Sequence, residues 1–274
     1  MLLILCSITD TDALWFAEHV RRAGVPVKVV TGELLAFARR RSHRLGRGGV
    51  HTTIELGDGT LIADASLTGV LNRLVEAPAA AWANAAVGER HYATAELHAF
   101  TLSWLSSLTC PVRNRPEPTY LAGLAPHPLR ALAAAHSAGL PAPSIRFDTS
   151  TAATGPEQLI AAIYSAAQRA AGPDAEPVQL VCLDGEPWTP LELPDDLVAG
   201  IGDTLRLIGA DTSLIGLDFF VNPSRRGRPS SLSFAGVAGL ARLRNGGPAL
   251  ARRLSAVLTA GAPVRIGAGV GASL

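Results

Sequence analysis

Two Asn-Arg pairs, Asn72-Arg73 and Asn114-Arg115, each follow a short apolar run, Val70-Leu71 and Cys110-Pro111-Val112. A guanidinium at such a position suits carboxylate recognition, because its planar fork donates two parallel hydrogen bonds to one carboxylate. Arg73 would then grip a carboxylate of a substrate or partner segment; equally, an arginine there closes a sheet edge or pairs with Glu76. A third basic feature is Arg39, Arg40, Arg41, Arg44 and Arg47, ending in a glycine stretch. It could bind an anion or nucleic acid, yet no aromatic residue interleaves for base stacking, and a basic loop between strands is ordinarily just solvated. Arg225-Arg226-Gly227-Arg228 reads as another solvated hairpin loop. His91 and His98 flank Glu96 on one helix without an i, i+4 histidine pair, so no zinc site is expected. Cys6 ends the first strand, where α/β sheets open ligand crevices, and reads either as a reactive thiol or, more simply, as an inert buried cysteine.

These residues need a scaffold, and the patterning supplies one. Leu2 to Cys6 and Val25 to Val30 are β-rich runs bracketing a helical repeat over Asp12 to Ala23, a βαβ opening. Val50 to Leu56 and Thr60 to Ala63 flank Gly57-Asp58-Gly59, a hairpin turn. A helix is expected over Tyr92 to Leu108 and a buried strand over Cys110 to Pro116. Beyond it come a helix at Pro128 to Ala138, a strand at Ser144 to Phe147, and a helix at Pro156 to Ala171. A hairpin on Val178 to Leu183 turning at Asp184-Gly185 leads to a helix at Pro194 to Gly209. Strands at Leu214 to Val221 and Ser231 to Phe234 precede a closing helix at Pro248 to Ala260. The pattern divides into an α/β unit over 1–124, a second unit over 125–260 and a glycine-rich tail over 261–274.

Composition narrows the function classes. The 274 residues are 48% hydrophobic and 17% charged, and 24 basic against 23 acidic side chains leave a formal +1. Such a chain folds, and no global field draws it to nucleic acid or an anionic membrane. Met1 to Cys6 is too short for a signal-peptide core, and Leu97 to Val112, free of charge but carrying His98 and Pro111, is too short to span a bilayer. Three separated cysteines make no disulfide framework, which fits a cytoplasmic location. Lys28 is the sole lysine, so any lysine-dependent chemistry has one candidate.

The order of local signals carries a resemblance. Val70-Leu71-Asn72-Arg73 is followed by Ala95-Glu96 in a helix ending at Trp104-Leu105, then Cys110-Pro111-Val112 with Asn114-Arg115-Pro116, then Ala138-Gly139-Leu140-Pro141-Ala142-Pro143. Together with Leu193-Pro194 before a helix and Leu214-Ile215-Gly216-Leu217-Asp218-Phe219 on a strand, this resembles ATP-grasp ligases of the ribosomal-S6-modifying and graspetide type over most of the chain. The resemblance implies an N-terminal pre-ATP-grasp-like α/β domain followed by a truncated ATP-grasp-like α+β domain. It also implies ATP held between two halves of the latter, phosphoryl transfer to a carboxylate and attack by an amine. Against that pattern, the two expected phosphate-binding lysines are missing, since the region between Phe147 and Val178 holds none and is nearly filled by one Ala-rich helix. Asp218 matches the first metal-binding carboxylate, but the expected Glu-x-Asn falls on Ser233-Phe234-Ala235. Asp218 is thus read as a relic ligand, and no metal site is assigned.

The expected function is accordingly a non-catalytic or accessory subunit in peptide or amide-forming biosynthesis, without a cofactor. The alternative is an active enzyme on the ATP-grasp scaffold, a divergent carboxylate-amine ligase or a different reaction, and only that alternative uses ATP and magnesium. The implied partners are a second copy of the chain or an intact ligase, with a peptide or carboxylate substrate, and no membrane or nucleic acid. Loss of half the clamp is expected to leave one face of the second sheet for a dimer or partner to cover.

Overall fold

The computed structural model describes residues 1–47, 49–146, 155–222 and 231–260. It opens with β1 (Leu2–Cys6), α1 (Thr11–Arg22), β2 (Val27–Thr31) and the short α2 (Gly32–Ala36). Then come β3 (Arg40–Gly46), β4 (Gly49–Glu55), β5 (Leu61–Ala63), β6 (Gly69–Asn72), α3 (Val87–Ser107) and β7 (Val112–Arg113). The remainder is α4 (Pro128–Ser137), α5 (Pro156–Ala171), β8 (Glu176–Leu183), β9 (Glu186–Trp188), α6 (Asp195–Ile208), β10 (Leu214–Asn222), β11 (Ser231–Ala238) and α7 (Gly247–Thr259).

The first sheet runs β2-β1-β6-β7, every pair parallel. Parallel strands are covered on both faces, so β1 can be apolar throughout, and all five of its residues are buried. Leu3, Leu5 and Val70 face α3, whose Leu97, Trp104 and Leu105 close that layer. Leu2, Ile4 and Leu71 face the other way, toward Phe16 and Val20 of α1 and Leu250, Leu254 and Leu258 of α7. The last helix therefore returns to the sheet where the chain began. Its approach is so close that a Cβ on Gly69 would lie 1.9 Å from the Leu258 carbonyl oxygen.

The second sheet, β11-β10-β8-β9, is antiparallel. Period-two alternation sorts β10 cleanly. Ile215, Leu217, Phe219 and Val221 pack against α4 and α6. On the opposite face, Leu214 joins the α7 layer with Val181 and Leu183, and Phe220 packs against Ala167 and Ala171 of α5. Asp218 lies between these two patches. The face expected to need a second copy or a partner is covered, over β10 and β11, by the chain's own α5.

The third sheet, β3-β4-β5, is an antiparallel excursion between β2 and β6. The Arg39 to Arg47 segment, expected as a loop, is mostly strand. Ile54 and Ile62 point into the core, while Arg41 survives half-buried because its Nη2 donates to the Leu35 and Ala36 carbonyls. Two more expectations shift. Residues Ser144 to Arg146 have no regular structure, although Ile145 packs on the core, and Phe147, the 225–228 loop and the 261–274 tail lie outside the described residues.

Candidate functional site

The first sheet's C-terminal edge gathers the residues singled out for recognition, and it uses them internally. The Nδ2 of fully buried Asn72 donates to the Asn114 carbonyl at 2.9 Å and to the Leu121 carbonyl, while its Oδ1 accepts from Leu74 N at 3.2 Å. Arg73 is 3% exposed. Its Nε and Nη2 donate to Asp10 Oδ2 and Oδ1 at 2.7 and 3.1 Å, and Nη1 donates to the Ala241 carbonyl at 2.9 Å. The bidentate carboxylate that the fork was expected to find is Asp10 of the same chain, not Glu76. Asp10 also caps α1, accepting from Ala13 N at 3.0 Å. Through Ala241 the pair ties the first sheet to the segment leading into α7.

Asn114 is buried in the left-handed region at φ 60°, against Gly123, where a Cβ would come within 3.1 Å of the Asn114 Cα. Arg115 closes α3: its Nη1 donates to the Leu105 and Ser106 carbonyls, both at 3.2 Å, and Nη2 to Leu108 at 3.1 Å. Carbonyls at a helix C-terminus are the natural partners of a cation. Burial pushes the neighbouring Cys6 thiol up to about 11, reinforced by the Asp10 carboxylate, which makes it a poor nucleophile at neutral pH. His98 Nε2 lies 3.1 Å from the Pro118 carbonyl, and among the described residues no group of three or more His, Cys, Asp or Glu could hold a metal.

The second sheet offers a different cluster. Asp218 on β10 lies opposite Gln179 on β8, and Gln179 Nε2 donates to Asp218 Oδ1 at 2.9 Å. From α5, the Tyr164 hydroxyl donates to Asp218 Oδ2. Tyr164 stacks edge-on against Phe220 at 5.9 Å, which fixes its ring over the sheet. Burial, and then the hydrogen bond to Asp218, push its phenol well above the usual tyrosine value. Gln179 is itself pinned, since Oε1 accepts from Arg242 N at 2.6 Å and its carbonyl accepts from Asn245 Nδ2 at 2.9 Å. Gly216 is required here, because a Cβ would come within 2.6 Å of the Gln179 amide. A cavity of about 340 Å³ opens beside this network, lined by Tyr164, Gln179, Asp218, Leu240 and the exposed Arg242 among others.

Sequence reasoning had Asp218 but not Tyr164, Gln179, Arg242 or Asp10. Only two signals were available: a single tyrosine in an Ala-rich helix, and an aspartate one residue before a helix start.

The overall fold is similar to that of solved proteins. The structure aligns with a macrocyclase, MdnC, from Microcystis aeruginosa, solved with the precursor peptide MdnA, at TM-score 0.62 and 13% identity over 94% of this chain and 99% of that one. A RiPP-associated ATP-grasp ligase from Chryseobacterium gregarium, solved with ADP and a leader and core peptide, aligns at 0.61 and 12% over 96% and 97%. The ATP-grasp ligase PsnB with a minimal precursor aligns at 0.59 and 16% over 93% and 98%. The chain has the ATP-grasp ligase fold. By sequence, no family model matches it and no curated protein does. Asp218 is the residue that the sequence resemblance sets at a metal-binding carboxylate. Both oxygens are engaged by Tyr164 and Gln179, and β11 places Ser233 and Ala235 nearby, a hydroxyl and a methyl, both buried. Lys28, the only lysine, is spent in the first unit, donating to Thr60 Oγ1 at 3.0 Å beside Asp58. This donor set does not fit magnesium with a triphosphate, which needs several oxygen ligands and fixed cations. No helix of the described residues is long and apolar enough to cross a membrane.

Proposed function

We propose that this chain is a non-catalytic subunit of ATP-grasp fold that binds a peptide and acts beside an intact ligase in peptide modification. The observation that carries the reading is the Tyr164–Asp218–Gln179 network. Here α5 lies across the face of β10 that carries Asp218, and that carboxylate is held by neutral donors of the chain itself. Each oxygen of that carboxylate already accepts a hydrogen bond from its own chain, and among the described residues no group of carboxylates gathers beside it to share the charge of a cation. Peptide binding is carried over from the solved neighbours, which were captured with precursor peptides or a leader and core peptide.

A second reading, activity retained in the same cleft, has one observation in its favour: Arg242 lines the cavity beside Asp218 and could meet an anionic substrate. Calorimetric titration with ATP and magnesium separates the two. The proposal expects no site tighter than about 1 mM, roughly −4 kcal/mol. A micromolar, magnesium-dependent site overturns it and favours the enzyme.

A further inference from the structure

The outer strand of the third sheet carries charge that the rest of the molecule does not use. Among the described residues β3 has a partner on one side only, β4. Alternation places Arg41 and His43 inward, where His43 Nε2 meets Ser103 Oγ of α3 at 2.9 Å. It leaves Arg40, Ser42 and Arg44 on the open face, opposite Glu55, Thr53 and His51 of β4. Those residues line a shallow depression of about 370 Å³. Arg39, Arg40, Arg44 and Arg47 are all exposed, and none of the ion pairs among the described residues includes any of them.

We infer that the β3 edge is the docking site for an acidic, extended peptide that adds to the sheet as a further strand. An edge strand offers its free backbone groups to an incoming strand, and side chains at alternate positions of the guest then lie beside those of the host. Arg40 and Arg44 sit four residues apart, about 13 Å along a strand. A guest with Asp or Glu at every second position presents carboxylates at matching intervals, meeting Arg40 and Arg44 with Ser42 between them. Charge argues against a second copy of this chain in that place, because antiparallel pairing of two β3 edges would set arginines against arginines. It favours peptide over nucleic acid, since the face has no Phe, Tyr or Trp ring for a base to stack on. The inference rests on the peptide-binding part of the function proposed above and adds the chemistry of the peptide and the surface that takes it.

The test is fluorescence anisotropy with a labelled peptide alternating Thr or Val with Glu, against a Lys-for-Glu version and a single-stranded oligonucleotide of equal charge. The acidic peptide should bind the wild-type chain, with the lysine peptide silent and the oligonucleotide much weaker. Arg40→Glu with Arg44→Glu should weaken binding at least about tenfold, or about 1.4 kcal/mol. Arg252→Glu with Arg253→Glu, an equal change of charge at exposed sites on α7, should leave it within about twofold, since separated surface charges are screened. A peptide N-methylated at alternate amides on the pairing edge should lose binding by itself, a readout that needs no variant to fold. No binding of the acidic peptide, equal binding of the oligonucleotide, equal loss in both charge-reversal pairs, or indifference to N-methylation each overturns the inference. The nucleotide titration is a separate measurement: a micromolar ATP site would refute the non-catalytic reading and leave the β3 edge standing, whereas a silent edge would leave that reading untouched.

Discussion

Replacing Arg73 by alanine removes a guanidinium that is 3% exposed from a carboxylate that is 8% exposed. The stability cost is not the worth of the ion pair but the cost of stranding Asp10, which keeps its bond to Ala13 N and loses both partners from Arg73. Breaking a buried pair in this way costs about 3–5 kcal/mol. The Ala241 carbonyl also loses its donor, though the two losses share one group and do not simply add. At about 2 °C per kcal/mol for a chain of this length, the melting temperature should fall by about 6–10 °C. Scanning calorimetry or a circular-dichroism melt reads this directly. A cycle of Arg73→Met, Asp10→Asn and the double variant should give a coupling of about 2 kcal/mol or more, because the double variant leaves no orphan charge. If Arg73→Ala melts within about 1 °C of wild type and loses affinity for a carboxylate ligand, the guanidinium faces outward and the reasoning from burial fails.

Three further outcomes follow from particular contacts. Gly69→Ala should cost about 3 kcal/mol in a melt, since its Cβ would overlap the Leu258 carbonyl and push α7 off the sheet; an unchanged melt would mean α7 does not dock there. Tyr164→Phe should cost about 1–2 kcal/mol and gain no micromolar affinity for ATP with magnesium, because Asp218 would still stand alone; a gain in calorimetry would mean that the cleft is complete and merely plugged. With pH, burial raises the thiols of Cys6 and Cys182 from 9.0 to about 11 and about 12, so the unfolded chain releases those protons first. Their contribution to stability is whole below about pH 9 and declines as pH rises toward 11–12, and urea melts of Cys6→Ala and Cys182→Ala should show a shallower alkaline decline than wild type.

The sequence by itself determined most of the elements. Leu2 to Cys6 reads as a buried parallel strand because five apolar residues in a row can be covered on both faces, and α1, α4 and α6 are legible from apolar periodicity and their Gly and Pro stops. It also shows that 147–178 holds no lysine and that Ser233 and Ala235 stand where the resemblance implies Glu and Asn, readings that do not depend on how the chain folds. The tertiary structure alone decided what the remaining polar groups do. Arg73 and Asp10 are 63 positions apart, and nothing local distinguishes an arginine that will bind a ligand from one that will meet its own chain's carboxylate in the interior. Tyr164 and Asp218, 54 positions apart, are joined only because α5 lies across the face of β10 that carries the aspartate. The arginine segment reads as a loop by polarity and folds as a strand because its neighbour β4 supplies the apolar residues for the inner face. In the first two cases the deciding partner is distant along the chain, and in the third it is the next strand of the same hairpin. Periodicity records which face of an element is buried, while the groups that meet across that face are fixed by packing.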